Sequence, residues 1–263
     1  KSPASEFNVP LIAIMQDSPS LTRSRNAGIA RACGDVVLLL DDDVILPADY
    51  LSHLESLYER DTDQVIGGIG GRLVANDLQR WPGRIWKILA AGFAENRWAP
   101  RRCAARYIRL PGELCGLLVP AKRLSGGLIS IRRQLALKNP FADCFEGYAL
   151  GEDTEFSFRL TQRAGLYQGR CLQAQHCQAP GRPSMRLRGR MYASNMIYIA
   201  RNSVEGGQGT WLLLGYHLAG MAILSLAWGC VQRGGHNRQF AAGLLEELAR
   251  RAAGGIRSIL CGP

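Results

Sequence analysis

Val36-Val37-Leu38-Leu39-Leu40-Asp41-Asp42-Asp43 is a run of five apolar residues that stops on three carboxylates. A short unbroken apolar run reads as a strand buried on both faces of a sheet. Three adjacent aspartates at its end repel one another, and a divalent cation with oxygen ligands offsets that repulsion directly. In open α/β sheets the carboxyl end of a strand is where ligands collect. A solvated acidic turn leading into a helix accounts for the same three residues, with Asp49 favouring the helix's first turn. Taken alone, the triplet does not choose between these two readings.

On the N-terminal side, Leu11 to Met15 is a second run of strand length, and Ser24 is placed to cap a helix from about Arg25 to Cys33, closed by Gly34. After the aspartates, Pro47 suits the first turn of a helix with Leu51, Leu54, Leu57 and Tyr58 on one face. Val65-Ile66 then begins a strand that enters a glycine-rich stretch. Leu128 to Ile131 reads as a strand. Glu152 to Ala164 reads as a helix ended by Gly165, with Phe156, Leu160 and Ala164 on one side. This alternation predicts an α/β fold with a mixed, mainly parallel sheet flanked by helices. Trp81 to Arg109, with three tryptophans and five arginines between Arg97 and Arg109, shows no legible pattern.

The 263 residues, 47% hydrophobic and 21% charged, exclude disorder, collagen and coiled coil. The length suits one large domain with an appendage, or two small ones. Eight cysteines without a CxxC pair point away from a disulfide framework or zinc site. They are expected to be mostly buried thiols in a reducing compartment. No signal peptide opens the chain, and its first residue is Lys1 rather than Met. The net charge is +10, with basic stretches at 97–109 and at Arg182, Arg186, Arg188 and Arg190. Neither aromatic platforms nor a reader motif accompanies them, so nucleic acid is not expected as a partner. Solvated surface is the plain reading of such stretches. An anionic membrane surface or a lipid-diphosphate acceptor is the other, since arginine suits phosphate geometry.

Gly151-Glu152-Asp153-Thr154-Glu155 is a second acidic cluster. Acidic residues commonly stabilise a helix N-terminus. A carboxylate at the mouth of a sheet also accepts a proton from an attacking hydroxyl. His176 follows 23 residues after Asp153. A lone histidine is usually a structural hydrogen-bonding residue, although imidazole is also a common metal ligand.

In combination and order these residues resemble the inverting nucleotide-sugar glycosyltransferases of family 2, which have the GT-A fold. The resemblance runs over about residues 9 to 203. It is carried by Ser24-Arg25-Asn26-Ala27-Gly28 leading to the strand and its DxD motif, by Ser125-Gly126-Gly127 leading to Leu128 to Arg133, and by Phe141 to Glu146, where Ala142 stands in a position often held by Asp. Gly151-Glu152-Asp153 with Arg159, and then His176, complete it. The resemblance implies that Asp43 and His176 bind Mn²⁺ or Mg²⁺, and that Asp41, with Asp42 beside it, contacts the donor's ribose or sugar. It further implies that Arg25 approaches the diphosphate and that Gly126 and Gly127 let backbone come close to donor or acceptor. Asp153 would be the general base, with Glu152 supporting it or touching the acceptor.

A single in-line displacement agrees with this set, because it needs one base on the acceptor side and a cation at the departing diphosphate. The alternatives are a haloacid dehalogenase-type phosphohydrolase with Asp41 as nucleophile, and a non-catalytic membrane-bound module. Against the former, Ile45 stands where that family wants Thr or Val. Family 2 members normally begin with a strand, a helix and a further strand bearing a nucleotide-binding Asp. This chain starts at about the third strand, so as given it is expected to bind nucleotide poorly, while a full-length parent would be active.

From Gly206 to Gln232 the chain has no charged residue apart from His217. Trp211 to Val231 is near the ~20 residues that span a bilayer as a helix. Trp211 and Trp228 would lie roughly 26 Å apart along it, close to the spacing of two aromatic belts. Both flanks are basic, which a single crossing does not satisfy. A helix lying in the interface or a re-entrant hairpin suits both flanks, and a buried core helix is the bland reading. The expected division is therefore a catalytic domain at 1–203, lacking its N-terminal elements, and a membrane-associated helical region at 204–263. The expected partners are a nucleotide-sugar donor, a glycan, polysaccharide or lipid-linked acceptor, and the cytoplasmic face of the inner membrane, reached peripherally or through residues 206–232. Cell-envelope polysaccharide synthesis would be the setting.

Overall fold

The apolar run before the aspartates is strand β1 (Val36–Leu40). The computed structural model describes residues 10–75, 110, 112–145, 148–177, 184–202, 208–231 and 235–260. The Trp81 to Arg109 stretch, Glu146 and Arg182 lie outside these. Five further strands complete the described sheet: β2 (Val44–Ile45), β3 (Ile66–Ala75), β4 (Leu118–Pro120), β5 (Leu128–Arg132) and β6 (Gly165–His176). Their order is β1-β5-β3-β6-β2, with β4 also on β6.

The sheet is mixed and flanked by helices, as expected, but it is not mainly parallel. Among the described strands only β3 and β6 pair in parallel; β1–β5, β3–β5, β2–β6 and β4–β6 are antiparallel. Helical crossovers do return β1, β3 and β6 in one direction. However, β5 inserts between β1 and β3 and runs against both, so these two codirectional strands do not pair.

Helix α1 (Leu21–Arg31) begins one turn earlier than Ser24 suggested. Ser20 is the N-cap, its hydroxyl accepting from the Arg23 amide, while Ser24 donates back to the Ser20 carbonyl. Helix α2 (Tyr50–Glu59) buries Tyr50, Leu54, Leu57 and Tyr58 and leaves Leu51 exposed, so Tyr50 takes the position given to Leu51. Leu11 to Met15 is no strand. Leu11 and Met15 are 67% and 91% exposed, and β1 pairs only with β5 among the described residues, so the run has no ladder to join. The glycines of β3 are required by close packing: a Cβ at Gly67 would lie 2.5 Å from the Ala164 Cβ. The six cysteines described as free (33, 115, 144, 171, 177 and 230) are exposed, contrary to the expectation of buried thiols. Aliphatic and aromatic side chains fill the core positions that cysteines were expected to share.

Helices α3 (Arg133–Lys138) and α4 (Glu152–Thr161) follow β5, and three longer helices end the chain: α5 (Met185–Asn202), α6 (Gln208–Val231) and α7 (Gly235–Leu260). One apolar cluster joins α2 to the sheet. A second packs Ile29, Phe141, Phe156 and Leu160 with β1 and β5. The third places Ala149 and Phe158 against Ala193, Met196, Leu214, Leu218 and Leu244, so the C-terminal helices share a core with the segment that carries Asp153. Helices α5 and α7 cross almost backbone to backbone, since a Cβ at Gly189 would strike the Phe240 carbonyl and one at Gly243 the Arg186 carbonyl. On α6, Leu214, His217, Leu218 and Ala222 are buried, while Leu212, Tyr216, Ile223 and Leu226 form an exposed apolar stripe at helical spacing. Thr210–Cys230 is long and apolar enough to cross a membrane.

Candidate active site

Three segments far apart in sequence meet at the guanidinium of Arg25. One face of α1 carries Arg25 inward until its side chain is only 8% exposed. Its Nη1 donates to Glu152 Oε1 at 2.7 Å, and its Nη2 donates to the Gly126 carbonyl at 2.8 Å and to Asp41 Oδ1 at 3.3 Å. The neighbouring Asn26 clamps the backbone on the other side: its Nδ2 donates to the Phe141 carbonyl and its Oδ1 accepts from the Phe141 amide. Arg25 also lies over the Phe141 ring, 5.3 Å from its centroid, and Phe141 stacks on Phe156 of α4. The Arg-Asn pair therefore fixes α1 against both the glycine turn and the segment before α4.

The turn at Ser125 to Gly127 is held on both sides. Asp153 Oδ2 accepts from the Gly126 amide at 3.0 Å, and the Asp41 amide donates to the Gly127 carbonyl at 3.2 Å. Glycine is required at both positions. A Cβ at Gly126 would lie 2.9 Å from Glu152 Oε1, and one at Gly127 would lie 2.8 Å from Asp41 Oδ2. Gly151 takes a left-handed conformation, φ 97°, to turn the chain into α4, and so presents Glu152 and Asp153 at the helix's first turn. Both acids gain there from the helix dipole.

The two acids face differently. Glu152 is buried against Arg25, and its carboxyl is pushed up to about 7, first by burial and then by the charge of Asp153. These two effects outweigh the pull of Arg25 despite the short contact. Asp153 Oδ1 accepts from the Thr154 hydroxyl at 3.1 Å. Beside it opens a cavity of about 130 Å³ lined by Arg123, Leu150, Gly151, Asp153, Thr154, Tyr192 and Met196.

The far end of the site is set by β2 and β6. Val44 pairs with His176, and the Cys177 amide donates to the Asp43 carbonyl, so the end of β6 lies against the aspartate turn. His176 Nε2 is 3.1 Å from Asp43 Oδ1, with both side chains 18% exposed. Among the described residues no three His, Cys, Asp or Glu side chains gather as a metal cage. One carboxylate oxygen and one imidazole nitrogen still suit Mn²⁺ or Mg²⁺ when substrate phosphates and water supply the remaining ligands. Asp42 is exposed.

The structure thus brings Arg25, Asp41, Gly126, Gly127, Glu152 and Asp153 together, and pairs Asp43 with His176 next door. Arg25 is spent on Glu152, Asp41 and a carbonyl, which makes it a strut between carboxylates. Sequence reading missed Asn26, Thr154, Arg123 and Tyr192. Asn26 stood inside the recognised Arg-Asn pair, whereas Tyr192 comes from a helix with no motif of its own.

Residues 5–115 match the sequence model of Glycosyl transferase family 2; the match includes Arg25 and the aspartates and stops short of Asp153 and His176. No curated protein matches the chain. Among solved structures, the chain is similar to the mannosyltransferase PcManGT from Pyrobaculum calidifontis, in complex with GDP-Man and Mn²⁺. The identity is 13% and the TM-score 0.46, over 88% of this chain and 67% of that one. It is also similar to glucosyl-3-phosphoglycerate synthase from Mycobacterium tuberculosis, with 18% identity and a TM-score of 0.41 over 73% of this chain and 58% of that one. S. aureus TarS gives 15% identity and a TM-score of 0.44 over 79% and 53%. The chain therefore spans little more than half the length of the last two. The match over residues 5–115 supports reading this part of the chain as family 2 glycosyltransferase sequence.

Proposed function

We propose that the chain is the catalytic part of a metal-dependent, inverting glycosyltransferase. It would move a sugar from a nucleoside-diphosphate donor to a hydroxyl of a glycan, polysaccharide or lipid-linked acceptor. The observation that carries this reading is the Arg25 hub. It ties Asp41, at the end of β1, to Gly126 and Glu152, while Asp153 holds the adjacent Gly126 amide. On this reading Asp41 is the donor-side carboxylate and Asp153 the acceptor-side one, tied to Gly127 and Gly126 of one glycine turn.

In the proposed step Asp153 accepts the proton of the acceptor hydroxyl. The freed oxygen attacks the anomeric carbon from the face opposite the diphosphate, and the bond from that carbon to the diphosphate oxygen breaks. The nucleoside diphosphate leaves with the electron pair. Asp43 and His176 would hold Mn²⁺ or Mg²⁺, which offsets charge on the diphosphate when bound. Asp41 faces the donor's ribose or sugar. Gly126 and Gly127 let the donor approach the backbone. Glu152, shut in against Arg25, supports Asp153 and does not touch the acceptor. The Arg25 contact also argues against Asp41 as a phosphohydrolase nucleophile, because a guanidinium-paired carboxylate is a weak one.

Residues 1–203 are read as the catalytic unit and 204–263 as its membrane-facing helical cover. The exposed stripe of α6 would lie in the interface of an anionic, cytoplasmic membrane surface between two basic flanks. The test of the reaction is Asp153→Asn. Loss of general-base catalysis lowers transfer by roughly 10²–10⁴-fold, with donor and Mn²⁺ binding retained. Unchanged turnover would remove Asp153 from the role.

A further inference from the structure

The cavity beside Asp153 is lined by both an acid and a base. Asp153 and Thr154 line it, and Arg123 is the cationic residue among its described lining. Arg123 is exposed and pairs with no carboxylate among the described residues. An arginine without an acid partner at a cavity rim presents a planar donor fork matched to phosphate or carboxylate. Tyr192 of α5 also lines the cavity. The phenol oxygen of Tyr192 lies 2.7 Å from His217 Nε2 of α6, which fixes the ring in place. Burial pushes that phenol up to about 12, while the charge of Arg123 pulls the other way. At about 130 Å³ the cavity is smaller than the ~300–1,000 Å³ of a typical whole-ligand pocket. It admits one group of a ligand, with Leu150 and Met196 as its apolar walls.

We infer that this cavity is an anion-selective acceptor subsite, in which Arg123 and Tyr192 hold a phosphate monoester or carboxylate carried by the acceptor while the reacting hydroxyl faces Asp153. The inference rests on the proposed transfer reaction and narrows its acceptor to the anionic class. It also explains why an acceptor site would be closed by α5, whose Tyr192 is tied to the apolar helix α6: acceptors borne by a membrane would arrive from that side.

The test is calorimetric titration of the full chain with glucose 6-phosphate, glucose and inorganic phosphate. Glucose 6-phosphate is expected to bind at least tenfold more tightly than glucose, with inorganic phosphate competing. Arg123→Met abolishes the preference, and Arg123→Lys keeps part of it by retaining charge without the fork. Tyr192→Phe weakens binding of the phosphate ester several-fold. Arg123 is exposed, so its variants fold, which unchanged circular-dichroism melts would verify. Equal affinity for the two sugars, a preference that survives Arg123→Met, or no binding of the ester overturns the inference. Vesicles containing phosphatidic acid form a second arm. Arg123-dependent vesicle binding assigns the anion to a lipid, and dependence confined to glucose 6-phosphate assigns it to a soluble ester. The Asp153→Asn variant separates the two claims. If it transfers normally while the Arg123 preference holds, the reaction is wrong and the anion site stands. If it is inactive while the preference is missing, only the subsite fails.

Discussion

Replacing Arg25 by Met removes the cation from the centre of the site and leaves the fold's apolar packing almost unchanged in volume. Three hydrogen bonds disappear, two of them to carboxylates, in a place where the Arg25 side chain is 8% and that of Glu152 9% exposed. Breaking a buried ion pair on one side costs about 3–5 kcal/mol, because the other charge stays behind uncompensated. Here the abandoned group has an escape, since the Glu152 carboxyl already titrates at about 7. A carboxyl raised from 4.5 in the unfolded chain contributes stability that is complete below 4.5 and is lost as pH rises through about 7, roughly 3 kcal/mol at most. Without Arg25 its pKa climbs further, so the loss continues above pH 7. The variant should therefore trail the wild type by about 3–4 kcal/mol at pH 8 and by about 1–2 kcal/mol less at pH 5.5, where Glu152 takes a proton in both proteins. Urea unfolding followed by circular dichroism at the two pH values measures this. Adding Glu152→Gln to Arg25→Met should recover at least about 1 kcal/mol at pH 8 by removing the stranded charge. A deficit below about 1 kcal/mol, or one equal at both pH values, would refute the hub.

Gly127→Ala forces a Cβ to within 2.8 Å of Asp41 Oδ2 and 3.0 Å of Leu73 Cδ1, so Asp41 must turn away. Donor affinity should fall about tenfold for a stability loss of roughly 1–3 kcal/mol, and calorimetry with a nucleotide sugar and Mn²⁺ would expose an unaltered affinity as a contradiction. On α6, Leu212 and Ile223 are 76% and 60% exposed, so Leu212→Asp with Ile223→Asp leaves the core intact. Sedimentation with anionic vesicles should show binding reduced more than tenfold, and unchanged co-sedimentation would mean that the stripe does not meet the membrane.

Much of the site was legible because its chemistry is local. The Val36 to Asp43 run, the glycine turn before Leu128 and the Glu152-Asp153 pair each announce a strand end or helix start from a few residues. What was illegible depends on non-local pairing. Strand β6 is 12 residues long yet alternates weakly, with glutamines and glycines among its apolar residues, so His176 was located without the strand that delivers it to Asp43. The strand expected at Leu11 to Met15 had adequate composition and no described partner, since apolar content does not create a ladder. The direction of β5 decided the mixed character of the sheet, and direction is not written in periodicity. Tyr192 stands on α5, which Gly189 and Gly243 let approach α7, through contacts between residues 51 and 57 apart in the chain that no local pattern encodes.

The proposed reaction uses a lone base opposite a departing diphosphate, and the stereochemistry of the product reports on that directly. Proton NMR of the first product formed from an α-linked nucleotide sugar should show a β-glycosidic linkage, because one displacement inverts the anomeric carbon. An α-linked product would mean retention, and would contradict the single-displacement role given to Asp153.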